Sequence, residues 1–315
     1  MTSAVEQMFY VGKTPWHNSG VKIPDDKVLS IAEGLEASGL NFQVVKEELF
    51  TADGRKAPCF ATTRTDRNEI LGYVGPNYKV LENVEAFNWF QPFLDSKECE
   101  LHTAGSLYGG RKIWVLAKIK KDPIEITPDD IVEKYLMLSN SHDGTQAIRV
   151  GLTAVRIVCA NTLAMAHSDS SSQLIRVRHS QSVKENLEAI RDTISIIDEQ
   201  FKATAVQYKR LLNKYINARD VAKYVVRVLD LEEDDGTIST RSANQLEKIV
   251  GLFEKGIGND LPQVRGTVWS AYNSLTQYLS WEAGRNENSR LDSLWFGQNH
   301  AINEKALSLA LELSA

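Results

Sequence analysis

A run of cations with one tryptophan among them could neutralise phosphates and stack a base. The residues are Arg111, Lys112, Trp114, Lys118 and Lys120, followed by Arg149, Arg156, Arg176 and Arg178. Backbone-tracking cations with an interleaved aromatic ring are the chemistry of single-stranded nucleic-acid binding. Within 112–120 the types alternate with period two. Ile113, Val115, Ala117 and Ile119 form one set, and Lys112, Trp114, Leu116, Lys118 and Lys120 the other. The first set is expected to face the core and the second to form a basic surface. A solvated face carrying one half-buried tryptophan fits the same pattern. Arg149 and Arg156 stand seven residues apart, so on a regular strand they face opposite sides. Either Gly151 marks a bulge that brings them together, or one of the two is structural.

The elements that must position these side chains are two hairpins. Leu101–Leu107 and Lys112–Lys120 flank a Tyr108-Gly109-Gly110-Arg111 turn; Tyr135–Ser141 and Gln146–Val158 flank His142-Asp143-Gly144-Thr145. Adjacent glycines and Asp-Gly both supply the positive φ of a tight hairpin. After Val158 a helix is expected, with Asn161 as its N-cap, and Leu174–Arg178 reads as one more basic strand. Upstream, residues 9–24 read as an ordered arm carrying Trp16 and His17. A short helix is expected over Asp25–Ser38, then strands at Phe42–Phe50, Cys59–Arg64 and Ile70–Val74. A further helix, capped by Asn83 and rich in aromatic residues, runs to about Leu94. Downstream, Ser182 and Glu185 form a capping-box signature for a helix to Tyr215. Its apolar stripe at 187, 190, 194, 197, 201, 205, 208, 212 and 215 serves equally as an intrachain core or as a protomer contact. Helices follow at about 219–230, 242–255, 262–283 and 300–313. The fold class is α+β: an antiparallel hairpin sheet packed with helices over residues 1–180, then a helical region over 181–315.

Charge singles out the same stretch. The net runs −5 over residues 1–100, +4 over 101–184 and −4 over 185–315. An acidic chain, with pI near 5.8, is unsuited to coating a polyanion with its whole surface, but it accommodates one basic groove. With 43% hydrophobic residues in 315, the chain can bury a sizeable core. No apolar run reaches the 18 residues of a membrane span. The opening residues lack a signal peptide's apolar segment, so a cytoplasmic protein is expected. Cys59, Cys99 and Cys159 are odd in number and widely spaced, as reduced thiols would be.

The usual catalytic motifs are missing. The sequence holds neither GxxxxGK[ST] nor GxGxxG, no GxSxG, no CxxC and no HExxH. No cofactor and no metal is therefore expected. One constellation, Asn140-Ser141-His142-Asp143, could supply an acid/base pair or metal ligands to a nuclease. The alternative is a turn in which Asp143-Gly144 makes the bend, since neighbours on a strand point to opposite faces.

Five ordered blocks run through the chain: TPWHNSG, AGSLYGGRKIWVLAK, YLMLSNSHDGTQAIRVGLTAVRIVCANTL, GNDLPQVRGTVWSAYN and SLWFG. Together they resemble the phage/plasmid-like proteins catalogued as a domain of unknown function. The resemblance implies a mobile-element habitat and little chemistry. In architecture (hairpin, hairpin, helix, with Arg and Lys on the strands) the chain is also similar to the Rad-fifty-two-like single-strand annealing proteins. That resemblance implies a ring or filament holding single-stranded DNA in a basic groove without nucleotide hydrolysis. The expectation is thus a phage or plasmid protein that binds and anneals single-stranded DNA in recombination or replication. It would act as a homo-oligomer, with or without a phage or host partner. The alternatives are a metal-dependent nuclease at His142-Asp143 and a non-enzymatic anti-defence or virion-associated factor.

Overall fold

The structure is a computed structural model. It describes residues 5–12, 20–121, 123–156, 161–163, 174–193, 197–284, 290, 293–294 and 297–315. The Trp16-His17 arm, Cys159, residue 194 of the helical stripe and the SLWFG tryptophan lie outside them. The chain divides into two compact units that interleave along the sequence. The first takes residues 1–121, 135–152 and 172–197, and the second takes 122–134, 153–171 and 198–315.

The first unit is built on a sheet. Its strands are β1 (Val5–Val11), β2 (Val21–Ile23), β6 (Cys99–Leu107), β7 (Lys112–Ile119), β9 (Asp130–Ser141, from Tyr135 onward), β10 (Ile148–Arg156, as far as Leu152) and β12 (Leu174–Val177). The order is β10-β9-β7-β6-β1-β2, with β12 also on β10. Both hairpins form as their turns require: Tyr108, Gly109 and Gly110 have φ of 56°, 71° and 96°, and Gly144 has 74°. The sheet is mixed. Residues 9–24, expected as an arm, contribute β1 and β2, which pair in parallel with Phe9 opposite Val21. Every other strand pair described is antiparallel.

A second, three-stranded sheet belongs to the same unit: β3 (Val44–Phe50), β4 (Lys56–Arg64) and β5 (Glu69–Val74). It backs onto both hairpin turns. A Cβ on Gly72 would lie 2.5 Å from the Asp143 Cα, so only glycine admits the second turn there. The buried Arg64 guanidinium donates to Asp66, to Glu6 at 2.7 Å and to the Gly109 carbonyl at 3.0 Å, and it lies 3.8 Å from the Phe42 ring. Three helices complete the early part of the chain: α1 (Ile31–Ala37), α2 (Asn83–Asn88) and α3 (Gln91–Asp95). The first starts later than expected, at a Ser30–Glu33 capping box. The expected aromatic helix is split, with Pro92 opening its second part. Its cap is Glu82, because the Asn83 side chain turns inward to the Phe42 carbonyl. Helix α4 (Val183–Thr193) closes this unit, and its Leu187 carbonyl accepts the Trp89 indole N–H at 2.8 Å.

The second unit is mainly helical: α5 (Ile197–Leu212), α6 (Ala218–Leu229), α7 (Thr240–Lys255), α8 (Val268–Trp281) and α9 (Gln298–Leu313). It also holds β8 (Ile124–Thr127), which pairs with the start of β9, and β11 (Asn161–Leu163). The latter corrects the helix expected at Asn161: residues 161–163 pair antiparallel with Ala154–Arg156. Helix α8 is buried almost all round. Three of its hydroxyls are satisfied locally, Ser270, Ser274 and Thr276 each donating to a carbonyl three residues back. Its Trp269 donates to buried Asp130 at 2.8 Å and packs 4.9 Å from Tyr208. The apolar stripe expected along one long helix is spread over α4 and α5. Leu187, Phe201 and Tyr208 of that stripe are buried inside this chain, so the intrachain reading accounts for them, whereas Leu212 is half-buried and Tyr215 is exposed.

Candidate nucleic-acid interface

The first hairpin does not present the surface expected of it. Strand β7 lies between β6 and β9, and both its faces are covered along the middle. Trp114 is 3% exposed and Leu116 4%. The indole sits over Gly105, its cross-strand partner, where a Cβ would come within 2.8 Å of the ring. Trp114 is therefore core and offers no stacking platform. The lysines occupy the two ends of that buried face. Lys112 is half-buried, its ammonium 5.7 Å from the Tyr108 ring. Lys118 lies opposite Glu100 in the ladder, and Lys120 pairs with the Glu100 carboxylate at 3.0 Å. Arg111 is exposed in the turn, and its carbonyl accepts the His142 backbone N–H at 2.7 Å.

The arginines further along come together. Arg149 stands directly opposite Arg176 in the β10–β12 ladder, and Arg178 follows two residues later on the same side. Arg176 and Arg178 are exposed and Arg149 half-buried, whereas Ile148, Val150 and Val177 on the other face are buried. The β10–β12 register runs evenly from Ile148 to Gly151, where that ladder ends, and shows no bulge within it. The backbone of Arg156 pairs with Asn161; its side chain lies outside the description.

Lys79 and Lys46, which the sequence did not single out, join this end of the sheet. Lys79 and His179 exchange backbone contacts: the Lys79 N–H donates to the His179 carbonyl at 3.1 Å, and His179 Nδ1 lies 2.9 Å from the Lys79 carbonyl. The Lys46 ammonium donates to the carbonyls of Pro76 and Tyr78. Burial first, and then the neighbouring charge of Lys79, pull its pKa down. Nothing local marks these lysines, since residues 1–100 are acidic in sum and a hundred positions separate Lys79 from His179. The start of β7, the start of β10 and the end of β12 share this end. Arg111, Lys112, Arg149, Arg176, Arg178 and Lys79 thus gather there, with Asp143 and Glu69 as nearby carboxylates.

The His142-Asp143 pair is a turn. His142 is fully buried, its Nε2 2.8 Å from the Asn83 Oδ1, and burial holds its pKa down at about 3. Asp143 accepts from the Thr145 backbone N–H at 2.9 Å, from its hydroxyl at 2.6 Å and from the Ser141 hydroxyl. The two side chains thus serve different partners. No cluster of three or more His, Cys, Asp or Glu that could hold a metal occurs among the described residues. Nor is any helix among them long and apolar enough to cross a membrane.

No curated protein and no solved structure matches the chain. A family model does, over residues 70–295, a span that contains both hairpins and helices α2 to α8. Covering well over half of the sequence, that match makes the chain a member of the family described as a domain of unknown function, DUF932.

Proposed function

We propose that the protein binds single-stranded DNA, without hydrolysing it, at the basic end of the first unit's sheet, and promotes strand annealing there. The observation that carries this reading is the direct opposition of Arg149 and Arg176, with Arg178 in line. A phosphate chain running along this pair would meet the exposed guanidinium groups of Arg176 and Arg178 in turn. Residues two apart on a strand are about 6.8 Å apart, far enough for Arg176 and Arg178 to reach separate phosphates. Guanidinium forks suit that task because they take phosphate oxygens two at a time. Affinity then rests on charge, since Trp114 is sealed in the core. The nuclease alternative would need its imidazole, and His142 is sealed from solvent.

The test is fluorescence anisotropy of a labelled single strand across a salt series, with strand annealing followed in parallel. Each phosphate contact contributes about 0.7 to the slope of log K against log salt. Arg176→Gln with Arg178→Gln should flatten that slope by about 1.4 and slow annealing. If the wild-type chain binds no single strand, or if the double variant keeps the full slope, the reading fails.

A further inference from the structure

The second unit contains a cleft of about 710 Å³ between α7, α8 and α9 that the sequence reading did not use. One face of α7 lines it, with Arg241, Asn244, Gln245 and Lys248 following each other at helical spacing. Arg241, Asn244 and Lys248 are exposed and Gln245 is half-buried, and all four line the cleft. Arg241, Asn244 and Gln245 make no side-chain hydrogen bond or ion pair with the described residues, although Gln245 is half-buried. Across the cleft, Arg290 donates to the carbonyls of Ala283 at 2.8 Å and of Trp281, which fixes its guanidinium at the wall. Among the described residues Glu282 is the one carboxylate lining the cleft, and it is engaged by Lys248. The described lining therefore carries three cations, Arg241, Lys248 and Arg290, against that one anion.

The Tyr278 phenol is their common neighbour. Burial, the largest influence, raises its pKa, while Lys248, Arg241 and Arg290 act against that rise. The floor is apolar, formed by Leu231, Leu279 and Ile302. The volume falls within the range of small-molecule sites, which pair an apolar lining with a few placed polar groups.

We infer that this cleft binds a nucleoside monophosphate. Arg241 and Arg290 take the phosphate, for which planar forks of donors are suited. The side-chain amides of Asn244 and Gln245 each offer a donor beside an acceptor, the pattern that reads a base edge. Tyr278 and the apolar floor accept the flat base. Every group named belongs to the second unit, so the inference is independent of the DNA-binding reading.

The full chain is titrated by calorimetry with the four 5′-monophosphates, the corresponding nucleosides and inorganic phosphate. At least one monophosphate is expected to bind with a Kd below about 1 mM, at least tenfold tighter than its nucleoside and than phosphate alone. Arg241→Gln, an exposed change on α7, should weaken that binding at least tenfold without moving the unliganded Tm. Gln245→Met should weaken it while leaving binding of inorganic phosphate unchanged. The inference is overturned if no monophosphate binds, if phosphate alone binds as tightly, or if Arg241→Gln binds as the wild type does. In each of these cases single-strand binding by the same samples shows separately whether the first unit's reading stands.

Discussion

Strand β7 and the β10–β12 pair share a pattern, cations and apolar residues at alternate positions, and the fold uses them in opposite ways. Strand β7 has a strand on each side and is covered on both faces, so its tryptophan becomes core and its lysines are left at the two ends. Strand β12 pairs with β10 alone among the described strands, and its arginines stay exposed. Period two reports that a strand has two faces; it does not report whether both are buried. That depends on where the strand falls in the sheet, which is a property of the whole topology.

Trp114→Ala gives the largest effect and breaks the comparison if it goes wrong. Emptying so large a buried site should destabilise the protein by about 3–5 kcal/mol in urea unfolding. The molecules that remain folded should keep the wild-type salt slope for single strands. Loss of affinity with unchanged stability would return the indole to the surface.

An intermediate effect comes from the turn that joins β9 to β10, buried on its His142 side and open on its Asp143 side. His142 is neutral in the folded protein, with its pKa lowered from 6.5 to about 3, so the unfolded chain binds more protons as the pH falls below 6.5. The stabilisation is complete above that value and is lost progressively toward pH 3. Between pH 7.5 and pH 5 the loss is about 2 kcal/mol at 1.36 kcal/mol per unit. His179, lowered chiefly by burial, acts in the same direction. Urea midpoints measured across that range should fall on acidification, and His142→Gln should flatten the dependence from a lower starting stability. A midpoint that does not move between pH 5 and 7.5 would mean that the turn is open to water on both sides.

The smallest effects are expected on the cations themselves. Lys120→Gln removes an ion pair whose two side chains are 42% and 29% exposed, and such pairs contribute at most about 1 kcal/mol. Arg176→Gln should leave stability unchanged or raise it slightly, by up to about 0.5 kcal/mol, as a like-charge opposition is relieved. Differential scanning calorimetry of the two variants sharpens the contrast: a loss at 120, and none at 176.

Much of the secondary structure was legible because it is local. The Tyr108-Gly109-Gly110 and Asp143-Gly144 turns carry their positive φ in the residue types. The helices expected at 219–230 and 300–313 lie within two residues of α6 and α9. Errors arose where the deciding partner is remote in sequence. Asn83 has the residue type of a cap but is drawn inward by Phe42 and His142. Asn161 likewise reads as a cap, yet its backbone is taken up by β10. The basic end was half legible: its arginines lie on one strand pair, whereas Lys46 and Lys79 reach it only through folding. The α7 stripe at 241–248 was readable as polar, and its cavity was not.

The hydrogen bond from the Trp89 indole to the Leu187 carbonyl closes a loop of 98 residues, and that bears on how the chain acquires its shape. The first unit needs residues 174–187 for its last strand and for that bond, yet residues 122–134 and 153–171, which belong to the other unit, are made in between. A ribosome delivers the chain in order, so the early sheet must wait, with β9 and β10 still to come, before it can close. Contacts so distant in sequence make for slow folding. During synthesis, strands that end up in the interior, β7 among them, spend that interval with open edges. Chains cut at residue 121 or at residue 170 should therefore collect as aggregates, while the full-length chain refolds.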